Sequence, residues 1–315
     1  MTTQNARTLG HLAITVCAFV GAATNAYGQS RDHDIDLDSR RAQQSLDTER
    51  PGQSYGFEAV LTAPILFTNF AVQTATDELI SRKGDAHFNP DLLLKYTHEF
   101  EWLKLTVGAD VLMDRYLTQT AASEDALIGT VKAAFTDGRS DLFVPYVSYT
   151  GSMDFLPTFS RRDDTLHDWA AGFSSSIGLD SSGGFIPYRT AYSTGDTYVR
   201  FDARVGRRLS DPRDYQNTFA VASLQVGYFV NRELEVSITP ALRARWYDDY
   251  FGDARRDFNA SALLLVAWRP DWLRKLVHGA EIDFTANLER NISNLPEKTY
   301  SRWEAGPTLV FRTKF

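Results

Sequence analysis

The chain has 315 residues, 43% of them hydrophobic, 23% charged and 13% aromatic, with one cysteine and a formal net charge of −7, enough for one large domain or two small ones. A mean hydropathy of −0.30 and the lack of any second apolar run near the ~20 residues of a membrane helix exclude a polytopic helical membrane protein. The acidic balance, with no Lys/Arg block, excludes a general binder of nucleic-acid backbone, but a membrane crossed by strands stays open.

Residues 1–28 read as a secretory signal: Arg7, an apolar stretch from Leu12 to Ala23, then small residues at Ala26 and Gly28 in cleavage-site spacing. The apolar stretch is short for a membrane anchor and polar residues follow it. Cys17 lies inside it, without the small residues before the cysteine that lipoprotein processing wants, so cleavage leaves a mature chain with no thiol. Residues 29–53 are rich in Asp, Arg, Ser and Gln, with Asp32, Asp34, Asp36, Asp38 and Arg40-Arg41. They cannot bury a core and read as a periplasmic N-terminal linker, with a small plug or a docking peptide as the sharper alternative. Pro51-Gly52 ends it.

From residue 54 to 315 almost every segment alternates apolar and polar residues with period two, the pattern of a strand with one apolar face. About twelve such strands are expected, within a range of 10 to 14. The first sets Tyr55, Phe57, Ala59, Leu61, Ala63, Ile65 and Phe67 against Glu58, Val60 and Thr62; the next two set Leu92, Leu94, Tyr96 and His98 against Lys95, Thr97 and Glu99, and Val107, Ala109 and Val111 against Thr106, Gly108 and Asp110. Further on, Val199, Phe201, Ala203 and Val205 oppose Arg200, Asp202 and Arg204, and Leu234, Val236, Ile238, Leu242 and Trp246 oppose Glu235, Ser237, Thr239, Arg243 and Arg245. Ile282, Phe284, Ala286 and Leu288 oppose Glu281, Asp283, Asn287 and Glu289. Alternation alone does not say which face is inside. Two features favour lipid outside: strands of 10 to 14 residues suit a tilted crossing, and Tyr55, Phe67, Phe100, Trp169, Trp246, Trp268 and Trp303 recur near strand ends, where membrane interfaces would fall. The expected fold is all-β, an antiparallel transmembrane β-barrel.

The last strand alternates Trp303, Ala305, Pro307, Leu309, Phe311, Thr313 and Phe315 with Arg302, Glu304, Thr308, Arg312 and Lys314, and stops at a terminal phenylalanine. It resembles the C-terminal strand of bacterial outer-membrane β-barrel proteins. The resemblance extends over the leader and residues 54–315 as a pattern, and no motif assigns a family within the superfamily. It implies an outer-membrane location, outer-membrane lipid around the wall, and Phe311 and Phe315 as a signal read by the barrel assembly machinery. With both chain ends in the periplasm, the tight connections at Glu101, 136–141 and 231–233 fall on that side, and 73–89, 154–164, 248–256 and 291–298 form longer outer loops. Two segments fit that scheme badly: 180–195 is long for a periplasmic turn and 210–217 short for an outer loop. Either the strand count is off by two, or 185–192 is an element that enters the lumen or lies along the rim.

Arg200, Arg204 and Arg208 recur along one lumen face with Asp202 between the first two, and Arg243 and Arg245 lie two strands on. Guanidinium binds carboxylate and phosphate in bidentate geometry, so one reading is an arginine track that attracts anionic solutes. The other is an internal salt-bridge network with Asp202, Glu235, Glu281, Asp283 and Glu304 that stabilises a narrow barrel. The nearest approach to a catalytic set, His167-Asp168 with Ser174 to Ser176, puts neighbouring residues on opposite faces of a strand and reads instead as a rim histidine. His87, His98 and His278 are isolated, no metal spacing or phosphate-cradling loop occurs, and no cofactor is expected. The function that follows is a passive channel or transporter for small, anionic solutes. An outer-membrane hydrolase of lipid or peptide, a non-conducting structural or adhesive barrel and a soluble secreted β protein are the alternatives.

Overall fold

The computed structural model describes residues 56–76, 79–136 and 142–315. The expected signal, the linker, Tyr55 and most of the 136–141 turn lie outside those residues. The chain forms β1 (Gly56–Thr76), β2 (Leu79–Phe88), β3 (Asp91–Glu99), β4 (Leu103–Tyr116), β5 (Glu124–Phe135), β6 (Val144–Phe155), β7 (Arg162–Leu179) and β8 (Phe185–Ile186). It continues with β9 (Thr197–Asp211), β10 (Asn217–Phe229), β11 (Leu234–Tyr247), β12 (Arg256–Trp268), β13 (Ala280–Ser293) and β14 (Tyr300–Lys314).

These strands make one antiparallel meander that closes when β14 pairs with β1, from Glu58 opposite Lys314 to Thr68 opposite Glu304. β2 and β3 are two halves of one stave, interrupted at Asn89-Pro90: β1 pairs with β3 up to Thr62 and with β2 from Ile65. Pro90 has no N–H to give a ladder, yet its carbonyl accepts from Met113 N at 3.0 Å, and Asn89 N donates to Pro64 O at 3.2 Å, so pairing continues past the break. β8 only pairs with the end of β7. The described residues therefore build a barrel of twelve staves.

The two faces of the wall are inverted relative to a soluble protein. Val205 and Leu288, from the apolar parity, are 61% and 62% exposed, whereas Asp114 and Glu235, from the polar parity, are 0% and 1% exposed. A soluble barrel would bury the apolar set; exposure of a continuous apolar band on strands of this length requires lipid around it. Phe67, Phe100, Trp169, Trp246, Trp268 and Trp303 all point outward. No described helix is long and apolar enough to span a bilayer, so the crossing is made by strands.

The start of β1 and the end of β14 sit at one rim, the terminal rim. The connections at the far rim are short, including turns at 156–161, 212–216 and 294–299. This corrects the expectation of long outer loops: most of 73–89 is strand, because β1 and β2 extend their ladder to Thr76 and Leu79. The two longest connections, 180–196 and 269–279, are both at the terminal rim. Loop length there follows what each segment packs against, and the 180–196 segment is an added element, as the sequence allowed, with the strand count unchanged.

The inverted wall predicts the cost of a charge on its outer face. Ile238→Arg, near the middle of β11, should lower unfolding free energy in vesicles by about 2–4 kcal/mol, and Ile238→Val should change it little; equilibrium denaturant titration of the two variants checks this.

Candidate solute-binding lumen

Three zones of the interior follow from side-chain size. Near the strand midpoints several of the inward residues are small, among them Thr130, Thr150, Ala170, Ser223, Ala241 and Ser261, and each of these is half-buried. Larger and more deeply buried groups crowd both ends. The midpoint level is the waist of the barrel.

At the terminal rim the 180–196 segment forms a strap. Asp180 closes its first turn: the carboxylate accepts from the Ser182 hydroxyl at 2.6 Å, Ser182 N at 2.9 Å and Gly184 N at 2.8 Å. Those donors, the Ser182 hydroxyl foremost, hold its pKa below the usual carboxylate value. A folded-state pKa below the unfolded one means that the turn is favoured above the ordinary carboxylate range and loses this support as pH falls through the folded value. β8 then lies on β7, and Tyr188 and Ala191 pack with Tyr198 and Phe229 of the barrel wall. Two glycines make the seat. A Cβ on Gly178 would stand 2.7 Å from the Ala191 Cβ, and one on Gly227 would stand 2.1 Å from the Tyr198 ring. Beyond this seat, Arg189 reaches Glu99 of β3 with two hydrogen bonds of 3.4 Å. β3 is four staves from β7 in a ring of twelve, so the strap bridges part of the mouth to a wall a third of the way round the ring.

The same rim holds a second brace. Arg269, just after β12, donates to Glu235 at 2.6 Å and to Glu281 at 2.7 Å, and Tyr198 donates to Glu235 at 2.6 Å. At the far rim, Arg255 is fully buried against Asp257, with 2.6 Å between Nη2 and Oδ2, and its guanidinium lies over the rings of Tyr247 and Tyr250 at 4.4 and 4.5 Å. Arg207 and Asp248 pair outside that rim, and the Arg207 hydrogen bonds hold the Asp248 carboxyl below its usual pKa.

The arginine track climbs the wall of β9 as the alternation requires, and its members have different surroundings. Arg200, near the terminal rim, is buried. Arg208, near the far rim, grips Asp168 with 2.8 and 2.7 Å bonds in bidentate geometry. Between them, Asp202 accepts from the Tyr146 hydroxyl, which lies 2.9 Å from both its oxygens, with Arg204 beside the same hydroxyl. Arg204 and Arg243 are partly exposed at the waist. Arg243 lies deep in the barrel within electrostatic reach of Arg204, Arg208 and Glu289. Arg245 is buried opposite Asp257 in the ladder.

The expected acidic partners are therefore distributed differently. Glu281 belongs to the Arg269 brace at the terminal rim, and Asp283, two residues along the same strand, is buried. Glu304 is engaged by Arg302 and by His87 Nε2 at 3.1 Å, while His87 Nδ1 meets Asp114 at 2.7 Å and its ring stacks on Tyr116. His87, isolated in sequence, is thus part of a wall cluster joining β2, β4 and β14. Period-two parity already placed Asp168 and Arg302 on the inner face, but the pairings of Arg189, Arg269 and His87 have no local sequence signal. His167 faces outward against the Tyr149 hydroxyl at 2.7 Å, with Asp168 inward on Arg208, so the nearest catalytic set is not assembled. No cluster of three or more His, Cys, Asp or Glu arranged for a metal ion occurs among the described residues.

No protein-family model matches the chain, and no curated protein matches it in sequence. It is similar to the outer-membrane channel from Pseudomonas putida F1, with a TM-score of 0.46 and 9% identity over 84% of this chain and 98% of the other. It is also similar to the translocator domain of the autotransporter NalP from Neisseria meningitidis, with a TM-score of 0.45 and 9% identity over 89% and 96%. The KdgM porin solved with disordered oligogalacturonate gives 0.40 and 7% over 79% and 97%. The chain has the fold of outer-membrane β-barrel proteins, which its inverted wall establishes independently of these likenesses.

The Arg208–Asp168 pair sets a test of the wall. Asp168→Ala removes the bidentate partner of a buried guanidinium and should destabilise the barrel by about 3–5 kcal/mol, whereas Asp168→Asn, which still accepts a hydrogen bond, should cost less; heat-induced unfolding followed by gel mobility ranks the two.

Proposed function

We propose that the protein is a passive outer-membrane channel for small anionic solutes, with Arg204 and Arg243 as its selective element. One observation carries the reading: these two arginines, from β9 and β11, are half-buried on the inner face at the waist, where several neighbouring inward residues are small. Guanidinium pairs with carboxylate or phosphate through parallel hydrogen bonds, and a narrow passage makes each such group count. The selective element is smaller than the full arginine track, because Arg208 is committed to Asp168 and Arg200 and Arg245 are buried.

The terminal rim is assigned to the periplasm. Phe311 and Phe315 lie on the outward parity there, and Phe315 is still zipped to β1 through its N–H to Phe57 O at 3.0 Å, a placement that suits a signal read by the barrel assembly machinery before the last strand closes. The strap supports a second reading, a lumen held shut and a barrel with a structural role, because Arg189 ties it across part of the mouth to Glu99.

Planar-bilayer recording separates these readings. A channel gives discrete, anion-preferring openings, Arg204→Ala and Arg243→Ala each reduce the anion preference several-fold, and Arg189→Ala raises conductance by loosening the strap. A folded barrel that stays silent both with and without Arg189 supports the structural reading and removes the channel.

A further inference from the structure

We infer that the connection between β12 and β13, residues 269–279, is an in-plane membrane anchor that lays an apolar helix face into the lipid surface beside the terminal rim and sets its cations on phosphate headgroups. The inference rests on the lipid-facing reading of the wall. A turn at this rim needs few residues, as the one between β10 and β11 shows, yet here the chain inserts a short helix, Asp271–Leu276. At 3.6 residues per turn, Trp272, Leu273 and Leu276 fall on one arc, and Asp271, Arg274 and Lys275 fall on the other. The barrel leaves much of the apolar arc open: Trp272 is 53% and Leu276 75% exposed, while Leu273 is half-buried.

A helix of six residues is not stable alone in water, and this one is held at both ends. Arg269 ties its entry to Glu235 and Glu281 inside the lumen, and the adjacent Pro270 is fully buried. At its exit Gly279 takes a φ of 77°, and its carbonyl accepts from Arg312 N of the last strand at 2.9 Å. The inner tether turns the helix's other side outward. There the Trp272 ring meets Trp268, the last outward residue of β12, edge to face at 6.5 Å. The apolar surface thus runs without a break from the lipid-facing wall onto the helix.

That continuity, together with charge, identifies the occupant as the bilayer. Amphipathic helices that lie in a membrane interface combine a Trp/Leu face with basic residues, and tryptophan prefers the headgroup level. Arg274, which also pairs with Asp271, and Lys275 are exposed on the arc beside the apolar one, and His278 is exposed just after the helix. The ligand chemistry is an anionic phosphate headgroup above acyl chains.

The sole cysteine is Cys17, so a Cys17→Ser chain carrying Leu276→Cys, Ile238→Cys or Ser182→Cys accepts one polarity-sensitive fluorophore at a chosen site. Each labelled barrel is folded into vesicles of phosphatidylethanolamine and phosphatidylglycerol that contain brominated lipids. With the anchor in place, the Leu276 probe is quenched by bromine near the headgroup end of the chains and shielded from aqueous iodide several-fold more than a probe at Ser182. Arg274→Glu with Lys275→Glu then cuts that lipid quenching several-fold, with the Ile238 signal unchanged. Lipid quenching at Ile238 but free iodide access at Leu276 overturns the anchor alone, as does shielding of Leu276 that appears only when a second protein is added. A probe at Ile238 that lipid does not quench overturns the membrane wall and the anchor with it.

Discussion

Closure of the ladder by β14 on β1 is the constraint from which the rest follows. In hydrocarbon every backbone N–H and C=O needs a partner within the protein, and only a closed sheet supplies one for each strand. The closed sheet must then show lipid an apolar face, so every second residue is forced into the lumen, and the polar half of the composition goes there. The buried ions of the interior are a consequence of that inversion. Each has to meet an opposite charge or a hydrogen-bond donor, because an unpaired buried ion is far costlier than the pair. Arg208 on Asp168, Lys95 on Glu58 and Arg302 on Glu304 are three such solutions on the wall.

Twelve staves leave room between two regimes, since barrels of about eight strands are filled by side chains and those of 16–18 hold open channels. This barrel does some of each. Its waist is lined by residues such as Thr130, Ser223 and Ser261 and stays partly accessible, while its terminal mouth is narrowed by a segment the strand pattern does not require. The strap fits because the wall beneath it thins to glycine at 178 and 227, which lets Ala191 and the Tyr198 ring come closer than any side chain would allow. Access to Arg204 and Arg243 depends on this strap as much as on the arginines themselves.

The wall was legible in the sequence, and most of the site was not. Period two identifies which residues of a strand share a face, so Arg204, Arg243, Asp168 and Arg302 could be assigned to the lumen without coordinates. Alternation carries no information about partners several strands away. Glu281 and Asp283 were grouped with the arginine track on charge alone, but Glu281 is taken by Arg269, whose position depends on how the chain turns after β12. Arg189 and Glu99 are 90 residues apart, and no local pattern connects them. Loop lengths misled because a long connection can pack into the barrel mouth or against its outside as well as stand free in water.

What the sequence determined by itself is local and repetitive: strand after strand with one apolar face, an aromatic near many ends, and a last strand that finishes on phenylalanine. Each of those rests on the geometry of one extended segment, which needs no knowledge of its neighbours. The tertiary structure alone decided which arginines of the track are buried and which half-buried, that 180–196 packs at the mouth and that 269–279 turns a helix outward. Those facts arise from ring closure and from which staves end up opposite each other, and the physical quantities involved, burial and charge pairing across the lumen, exist only once the ring is closed.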